Sequence, residues 1–248
     1  VEPYVGTSGW SYAWNPDGLE WYVRNSGLNA VELNSSFYRF PFRSMIRGWS
    51  RRTELRWSVK VHRSITHSRM MRTPGSTEVL LRFLELFRPM DEAGIVDFYL
   101  FQMPPRFAAG EENWRRIIEV SGAVGLGPRM AIEFRHPSWF EEGWVERARD
   151  AGITMVSVDA PDLSFYARSG DSVYLRMHGR TAWYAHEYSD EELEEVAGRL
   201  RSLGGTRVYV FFNNDHAMLE NAREMLNKLK GSGPRPGAGS HHGGVALT

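Results

Sequence analysis

Ser172-Val-Tyr-Leu-Arg-Met-His178 alternates apolar with polar residues along its length, the period of a β-strand with two different faces. Successive side chains of a strand point to opposite sides. If Leu175 and Met177 face an outer layer of helices, Tyr174, Arg176 and His178 face inward. The same parity recurs elsewhere. Val59 and Val61 leave Ser58, Lys60 and His62 inside, and Ile132 and Phe134 leave Ala131, Glu133 and Arg135. Val31 and Leu33 leave Glu32 and Asn34; Val156 and Val158 leave Ser157 and Asp159; Val208, Val210 and Phe212 leave Asn213. Strands that send ionisable groups to a shared interior, near their C-terminal ends, are unlike the Val/Ile/Leu layers of an ordinary barrel core. Unpaired buried charges cost several kcal/mol each, so these groups must meet one another, water or a ligand.

Working outward, eight strand-like runs are read at Tyr4–Ser8, Ala30–Asn34, Trp57–His62, Asp97–Met103, Met130–Arg135, Thr154–Asp159, Ser172–His178 and Arg207–Asn213. Helical periodicity separates several of them, at Ser76–Ala93, Glu111–Val124, Glu141–Ala151, Ser189–Leu203 and Ala217–Lys230. Ser189-Asp-Glu-Glu192 is a capping box, and Gly152 and Gly204-Gly205 are helix stops. Strand–helix–strand units of about 30 residues predict right-handed parallel crossovers. The expected fold is α/β, a single (β/α)8 TIM-barrel-like domain over residues 1–230. The link from Asp159 to Ser172 is too short for a full outer helix, so one helix between strands six and seven is expected to be missing. No G-x-G-x-x-G follows the first strand, which counts against a dinucleotide fold. Residues 231–248, rich in Gly, Pro and Ser with His241-His242, read as a disordered tail or a cloning remnant.

Lys+Arg and Asp+Glu each number 30, for a formal charge of zero over 248 residues. Coating of nucleic acid or membrane by an overall field is thereby disfavoured, while a local basic cleft is not. Cysteine is absent, which excludes disulfides, thiolate metal sites and a cysteine nucleophile. No apolar run reaches the roughly 18–20 residues of a membrane span, and no signal peptide is read before the first strand. A cytoplasmic protein with no membrane partner is the expectation; the oligomeric state is not legible.

Motifs spread through the chain are Gly6-Thr-Ser-Gly-Trp10, Val31-Glu-Leu-Asn34 with Phe37-Tyr-Arg39, and Trp57-Ser-Val-Lys-Val61 with Ile65-Thr-His67. They continue as Gln102-Met-Pro-Pro105, Ile132-Glu-Phe-Arg-His-Pro-Ser-Trp139, Tyr174-Leu-Arg-Met-His-Gly-Arg180 and Phe212-Asn-Asn-Asp215. In these the chain resembles the YecE-like family, domain of unknown function 72, over roughly residues 4–230. The resemblance implies a TIM-barrel-like fold and supplies no reaction. The stretch 63–76 looks short and Met/Arg-rich against that pattern, as if a flanking segment were abbreviated.

Lys60, His62, Arg63, His67, Arg135, His136, Arg176, His178 and Arg180 fall on or just after strands three, five and seven. This cationic excess suits an anionic substrate, phosphate above all. Glu133 and Asp159, on adjacent strands, are candidates to divide acid and base roles, with His178 as proton shuttle. Lys60, Arg135 and Arg176 are read as anion clamps, and Asn34, Asn213 and Asn214 as orienting amides. His62 completes the polar rim, while Tyr38 and Trp10 belong to a set of aromatics offering stacking faces. The expected function is hydrolysis of a phosphate-containing substrate, a small phosphate ester or a nucleic-acid strand, without a cofactor. A divalent cation held by the same carboxylates and imidazoles is the alternative chemistry, weakened by the abundant Arg and Lys and by the lack of H-x-H or H-E-x-x-H. Two other functions stay open: a glycoside hydrolase using paired carboxylates and a non-catalytic binding protein for an anionic ligand. Glu32, Ser58, Lys60 and Arg176 read equally well as a structural ion-pair lattice.

Overall fold

The computed structural model describes residues 1–231. Apart from Gly231, the expected tail lies outside the described residues. Among the described residues there are ten strands: β1 (Glu2–Thr7), β2 (Ala30–Leu33), β3 (Arg56–Lys60), β4 (Val96–Gln102), β5 (Met130–Glu133), β6 (Thr154–Met155), β7 (Ser157–Asp159), β8 (Ser164–Phe165), β9 (Ser172–Met177) and β10 (Arg207–Phe212). They form two five-stranded sheets, ordered β1-β10-β9-β7-β8 and β2-β3-β4-β5-β6. All pairings are parallel except β7 with β8.

Two seams join the sheets. Ser8 and Glu32 form a parallel bridge between the ends of β1 and β2, and the Gly9 N–H donates to the Glu32 carbonyl at 2.7 Å. At the other side β6 and β7 are halves of one strand interrupted at Val156, whose N–H donates to the Ile132 carbonyl at 2.9 Å. Counting these halves as one and setting β8 aside, eight parallel strands follow one another in chain order, the barrel expected from the spacing. Gly6 is demanded by the first seam: a Cβ there would lie 2.1 Å from the Ala30 carbonyl oxygen.

The outer layer is α1 (Gly18–Asn25), α2 (Arg43–Ser50), α3 (Gly75–Leu86), α4 (Arg88–Glu92), α5 (Glu111–Val124), α6 (Glu142–Ala151), α7 (Asp190–Leu203) and α8 (Met218–Lys230). The expected helix Ser76–Ala93 is broken at Phe87, because Pro89 has no N–H for a continuing ladder and opens α4 instead. α1 and α2 were not legible from periodicity: each has only eight residues, about two turns. The capping box at Ser189 forms as read, its hydroxyl accepting from the Glu192 N–H at 3.2 Å. Gly152 ends α6 in the left-handed conformation.

No helix lies between β7 and β9. β8 folds back antiparallel on β7 instead, pairing Asp159 with Ser164. This replacement inverts the expected parity of the sixth strand. Ser157 and Asp159 share register with Leu175 and Met177, which face the outer core, so both point outward. Val156 packs in the interior cluster with Ala30, Phe98, Leu100, Ala131, Tyr174, Tyr209 and Phe211, and Val158 sits beside Arg176 in register. The outer face here is covered by polar backbone rather than an apolar helix: Ser157 Oγ accepts from the Ala167 N–H at 2.9 Å and donates to the Ala167 carbonyl at 3.0 Å. Within the other strands the predicted parity holds, but His62, expected inward, lies past the end of β3 and packs on Ser64 and Phe40, whose ring meets Phe83 of the outer core. The apolar cluster fills the lower barrel and the ionisable groups collect above it, at the C-terminal mouth.

Candidate active site

Arg176 is the hub of the mouth. β9 carries it inward, fully buried, and every face of its guanidinium is occupied. Nη2 and Nε donate to the two oxygens of Glu32 at 2.6 and 3.1 Å. Nη1 donates to Glu133 at 3.0 Å and to Gln102 at 3.4 Å, and Nη2 reaches Ser8 Oγ at 3.3 Å. Glu32 also accepts from Ser8 Oγ at 2.7 Å and from the Tyr174 hydroxyl at 2.6 Å. Burial alone would raise the Glu32 carboxyl, but the Arg176 guanidinium and these hydrogen bonds bring it below its ordinary value. The expected clamp therefore has no donor left for a ligand. Arg176 is the counter-ion that keeps two buried carboxylates charged.

Glu133, at the end of β5, accepts from Arg135 Nε at 2.5 Å through one oxygen. Its other oxygen meets Arg176 Nη1 and His178 Nε2, both at 3.0 Å. Burial pulls its pKa upward, but Arg135, Arg176 and His178 together hold it well below the usual carboxylate range. A carboxylate so placed is a poor proton donor; its chemistry is to orient and to compensate charge. His178 is fully buried, and burial lowers it to about 4 against the pull of Glu133. Near neutral pH the ring is uncharged. Its Nε2–H is directed at Glu133, leaving Nδ1 as the acceptor, 3.4 Å from the Asn213 amide nitrogen.

Lys60 differs from its neighbours. It lies at the end of β3, about 5% exposed, with its ammonium 4.1 Å from the centre of the Phe37 ring. Among the described residues no hydrogen bond or ion pair engages its Nζ. Glu32 and Glu133 are both taken by Arg176, and Arg135 completes the balance at two positive and two negative groups. Burial, with the Arg176 guanidinium next, brings the Lys60 amine down to about 7. Asn34, which follows Leu33 in register with Val59, lies beside it, and its Oδ1 is buried without a partner.

Arg135 is the member of this set that faces outward most: its guanidinium stacks 4.9 Å over Trp183 and reaches the exposed Tyr184 hydroxyl at 3.4 Å. The other sequence candidates are dispersed. Asp159 does not join Glu133 in the interior. Its oxygens accept from Tyr166 at 2.5 Å, Tyr188 at 2.8 Å and Arg180 at 3.1 and 3.2 Å, which locks β7 to the outer loops. The expected Glu133–Asp159 acid/base arrangement is thus not assembled. Asn214 is buried on the opposite side from Asn213, donating to the His186 carbonyl at 2.7 Å and Asn221 at 2.9 Å. His62 turns to Ser64 Oγ at 2.8 Å and the Phe40 ring. Tyr38 is exposed at the rim, and Trp10 packs edge-on against Trp49 and Trp57 while lining a cavity.

Sequence reasoning missed the cavity's continuation. A cavity of about 300 Å³ lined by Ser8, Trp10, Asn34 and Tyr38 opens at the mouth. It shares Trp10, Ser11 and Ser35 with one of about 370 Å³ that includes Arg39. That in turn shares Leu19, Met45 and Trp49 with a third of about 540 Å³ lined by Arg51 and Arg52. Together they form a groove from the barrel mouth along α2. Between residues 39 and 72 stand nine arginines and Lys60 against a single acid, Glu54. Arg39, Arg43, Arg47 and Arg51 are exposed, and Phe42 and Tyr38 beside them are 72% and 65% exposed. The arginine spacing on a basic run was the signal available. Among the described residues no three His, Asp or Glu side chains converge as a metal site, and no helix is long and apolar enough to cross a membrane.

A parallel barrel whose ionisable side chains gather at the C-terminal strand ends has the layout of the barrel enzymes. At the level of fold, a D-psicose 3-epimerase shares it, with a TM-score of 0.55 at 8% identity over 94% of this chain and 98% of that one. The chain itself belongs to the family described as Protein of unknown function DUF72, which matches residues 4–241. It is similar to a DUF72 family protein of Thermotoga maritima MSB8, at 28% identity and a TM-score of 0.79, covering 93% of this chain and 98% of that one. A DUF72 family protein of Enterococcus faecalis V583 gives a TM-score of 0.82 at 21% identity, over 92% and 95% of the two chains. No curated protein matches.

Proposed function

We propose that the mouth is the active site of a phosphoester hydrolase whose favoured substrate is a nucleic-acid strand, with small phosphate esters as the lesser alternative. The observation that carries this is the groove: Arg39 and Arg51, exposed, with Arg52 paired to Glu20 and with exposed Tyr38, line a track that runs into the barrel mouth at Asn34 and Ser8. Arginine forks match phosphate oxygens, and rings beside them give bases a stacking surface worth roughly 1–3 kcal/mol per base. At the mouth, Arg135 and the charged fraction of Lys60 meet the phosphate. His178, neutral and oriented by Glu133, offers Nδ1 as the base for an attacking water that takes the place of the 3.4 Å Asn213 amide contact. The glycosidase reading is weaker, because neither Glu32 nor Glu133 is left to act as a protonated acid.

The test is binding of a fluorescent single-stranded oligonucleotide as a function of salt, for wild type and for Arg39→Ala with Arg51→Ala, the exposed arginines that line the groove. Each lost phosphate contact removes about 0.7 from the slope of log affinity against log salt. A shallower slope and weaker binding in the variant support the reading. Binding absent in wild type, or unchanged in the variant, overturns the strand as substrate.

A further inference from the structure

Of the 30 Lys+Arg residues, only Lys60, Lys228 and Lys230 are lysine. Lys228 and Lys230 lie in the last turn of α8. The chain thus uses arginine for every cation but one across its first 227 residues. Arginine is the better permanent counter-ion and phosphate fork; what lysine alone adds is the ability to lose its proton. The barrel places that one lysine where an amine has least reason to stay charged. It is buried, its flanking carboxylates Glu32 and Glu133 are occupied by guanidinium groups, and its Nζ lies 4.1 Å from the centre of the Phe37 ring with no hydrogen bond or ion pair among the described residues. The groups around it from the neighbouring elements are Glu32 on β2, Glu133 and Arg135 at the end of β5, Arg176 on β9 and His67 after β3. A purely structural role is poorly served by a cation that completes no pair.

We propose that Lys60 is a nucleophilic amine that forms an imine with an aldehyde or ketone entering the barrel mouth. The proposal rests on the mouth as the reaction site and is independent of hydrolysis. The neutral amine adds its lone pair to the carbonyl carbon, and the carbonyl π pair moves onto oxygen. The proton released by nitrogen passes to that oxygen to give a carbinolamine. Protonation of the hydroxyl and loss of water leave a protonated imine, with no oxidant or reductant consumed. The protonated imine carries the same single charge as protonated Lys60, and the unpartnered Oδ1 of Asn34 is an acceptor for the carbinolamine hydroxyl or the imine N–H. The lowered amine pKa is the expected companion of such a role.

The experiment is reductive trapping of the intact wild-type protein with glycolaldehyde and sodium cyanoborohydride, read by peptide mass spectrometry at each lysine. At pH 7 the adduct at Lys60 forms at least about tenfold faster than at Lys228, because far more of the Lys60 amine is uncharged. The excess shrinks toward pH 10. A Lys60 that is unlabelled, or labelled no faster than Lys228 at pH 7, overturns the proposal. Glycolaldehyde phosphate in a parallel arm separates this from the phosphate reading. Labelling of Lys60 at lower concentrations of the phosphorylated probe supports phosphate recognition; equal concentrations count against it while leaving the imine chemistry standing.

Discussion

Replacing Lys60 by methionine should make the protein more stable at neutral pH. The ordinary value of a lysine amine is 10.5, and here it is about 7; each factor of ten in proton affinity is worth 1.36 kcal/mol. Because the folded pKa lies below the unfolded one, the unfolded chain binds more protons between about pH 7 and 10.5, and stability rises with pH across that window. Keeping the amine at pH 7 therefore costs the folded state about 4 kcal/mol, and raising the pH to 9 recovers about 2 kcal/mol of it. Methionine has a similar length, lies well against the Phe37 ring and carries no charge to desolvate. Urea unfolding of wild type and Lys60→Met at pH 7 and pH 9 measures both effects. The variant should gain up to about 4 kcal/mol at pH 7 and about 2 kcal/mol less than that at pH 9. A variant less stable than wild type at pH 7, or a difference that does not change with pH, would refute the reasoning and mean that Lys60 is charged and paired in solution.

Further outcomes follow from the same geometry. Glu133→Gln removes the shared partner of Arg135, Arg176 and His178 and should cost about 3–5 kcal/mol, seen as a lower urea midpoint; a loss under 1 kcal/mol would show that the cluster is hydrated rather than buried. Asp159→Asn should lower thermal stability by loosening β7 from Arg180, Tyr166 and Tyr188, yet leave oligonucleotide affinity unchanged, and a loss of affinity in the folded variant would return Asp159 to the site. Gly6→Ala drives a methyl into the Ala30 carbonyl at the first seam; a destabilisation of about 3 kcal/mol is expected in denaturant titration, and a neutral effect would mean that β1 and β2 are not so close. Binding of inorganic phosphate at pH 7 should take up protons, since an anion favours charged Lys60, and calorimetry in buffers of different ionisation heat would show no uptake if the anion sits elsewhere.

The interior groups were legible wherever a helix covers the outside of the strand. Val59 on β3 and Val61 just after it, or Leu175 and Met177 on β9, mark the outer face because helices pack on it, so Lys60, Arg176 and His178 were placed inward correctly. On β6 and β7 the alternation was equally clear, but its sense was inverted. The cover there is the β8 hairpin, whose backbone bonds Ser157 and whose Tyr166 binds Asp159, so the polar residues go outward, Val156 joins the interior cluster and Val158 takes the register of Arg176. Periodicity shows that two faces differ, and only the identity of the outer layer says which is which. Asn214 failed for a simpler reason: it follows Asn213 directly and leaves on the opposite side, toward Asn221 of α8. The saturation of Arg176 could not be read at all, because it depends on Glu32, Gln102 and Ser8 from three other strands meeting at one guanidinium. The groove along α2 left its trace in Arg43, Arg47 and Arg51, four residues apart, with Glu54 the one acid of that stretch; Glu20, which lines the groove and pairs with Arg52, comes from α1 and could not be read there.

Cleavage of an end-labelled single-stranded oligonucleotide, assayed with wild type, Lys60→Met and His178→Ala alongside binding of the same strand, tests the placement of the active site most directly. Wild type should bind and cut, while both variants remain folded, bind through the arginine groove and lose cutting by at least about a hundredfold, the low end of what a positioned base (His178) or a preorganised charge on the phosphate (Lys60) contributes. Cutting retained in both variants, or no cutting by wild type despite binding, would contradict the account.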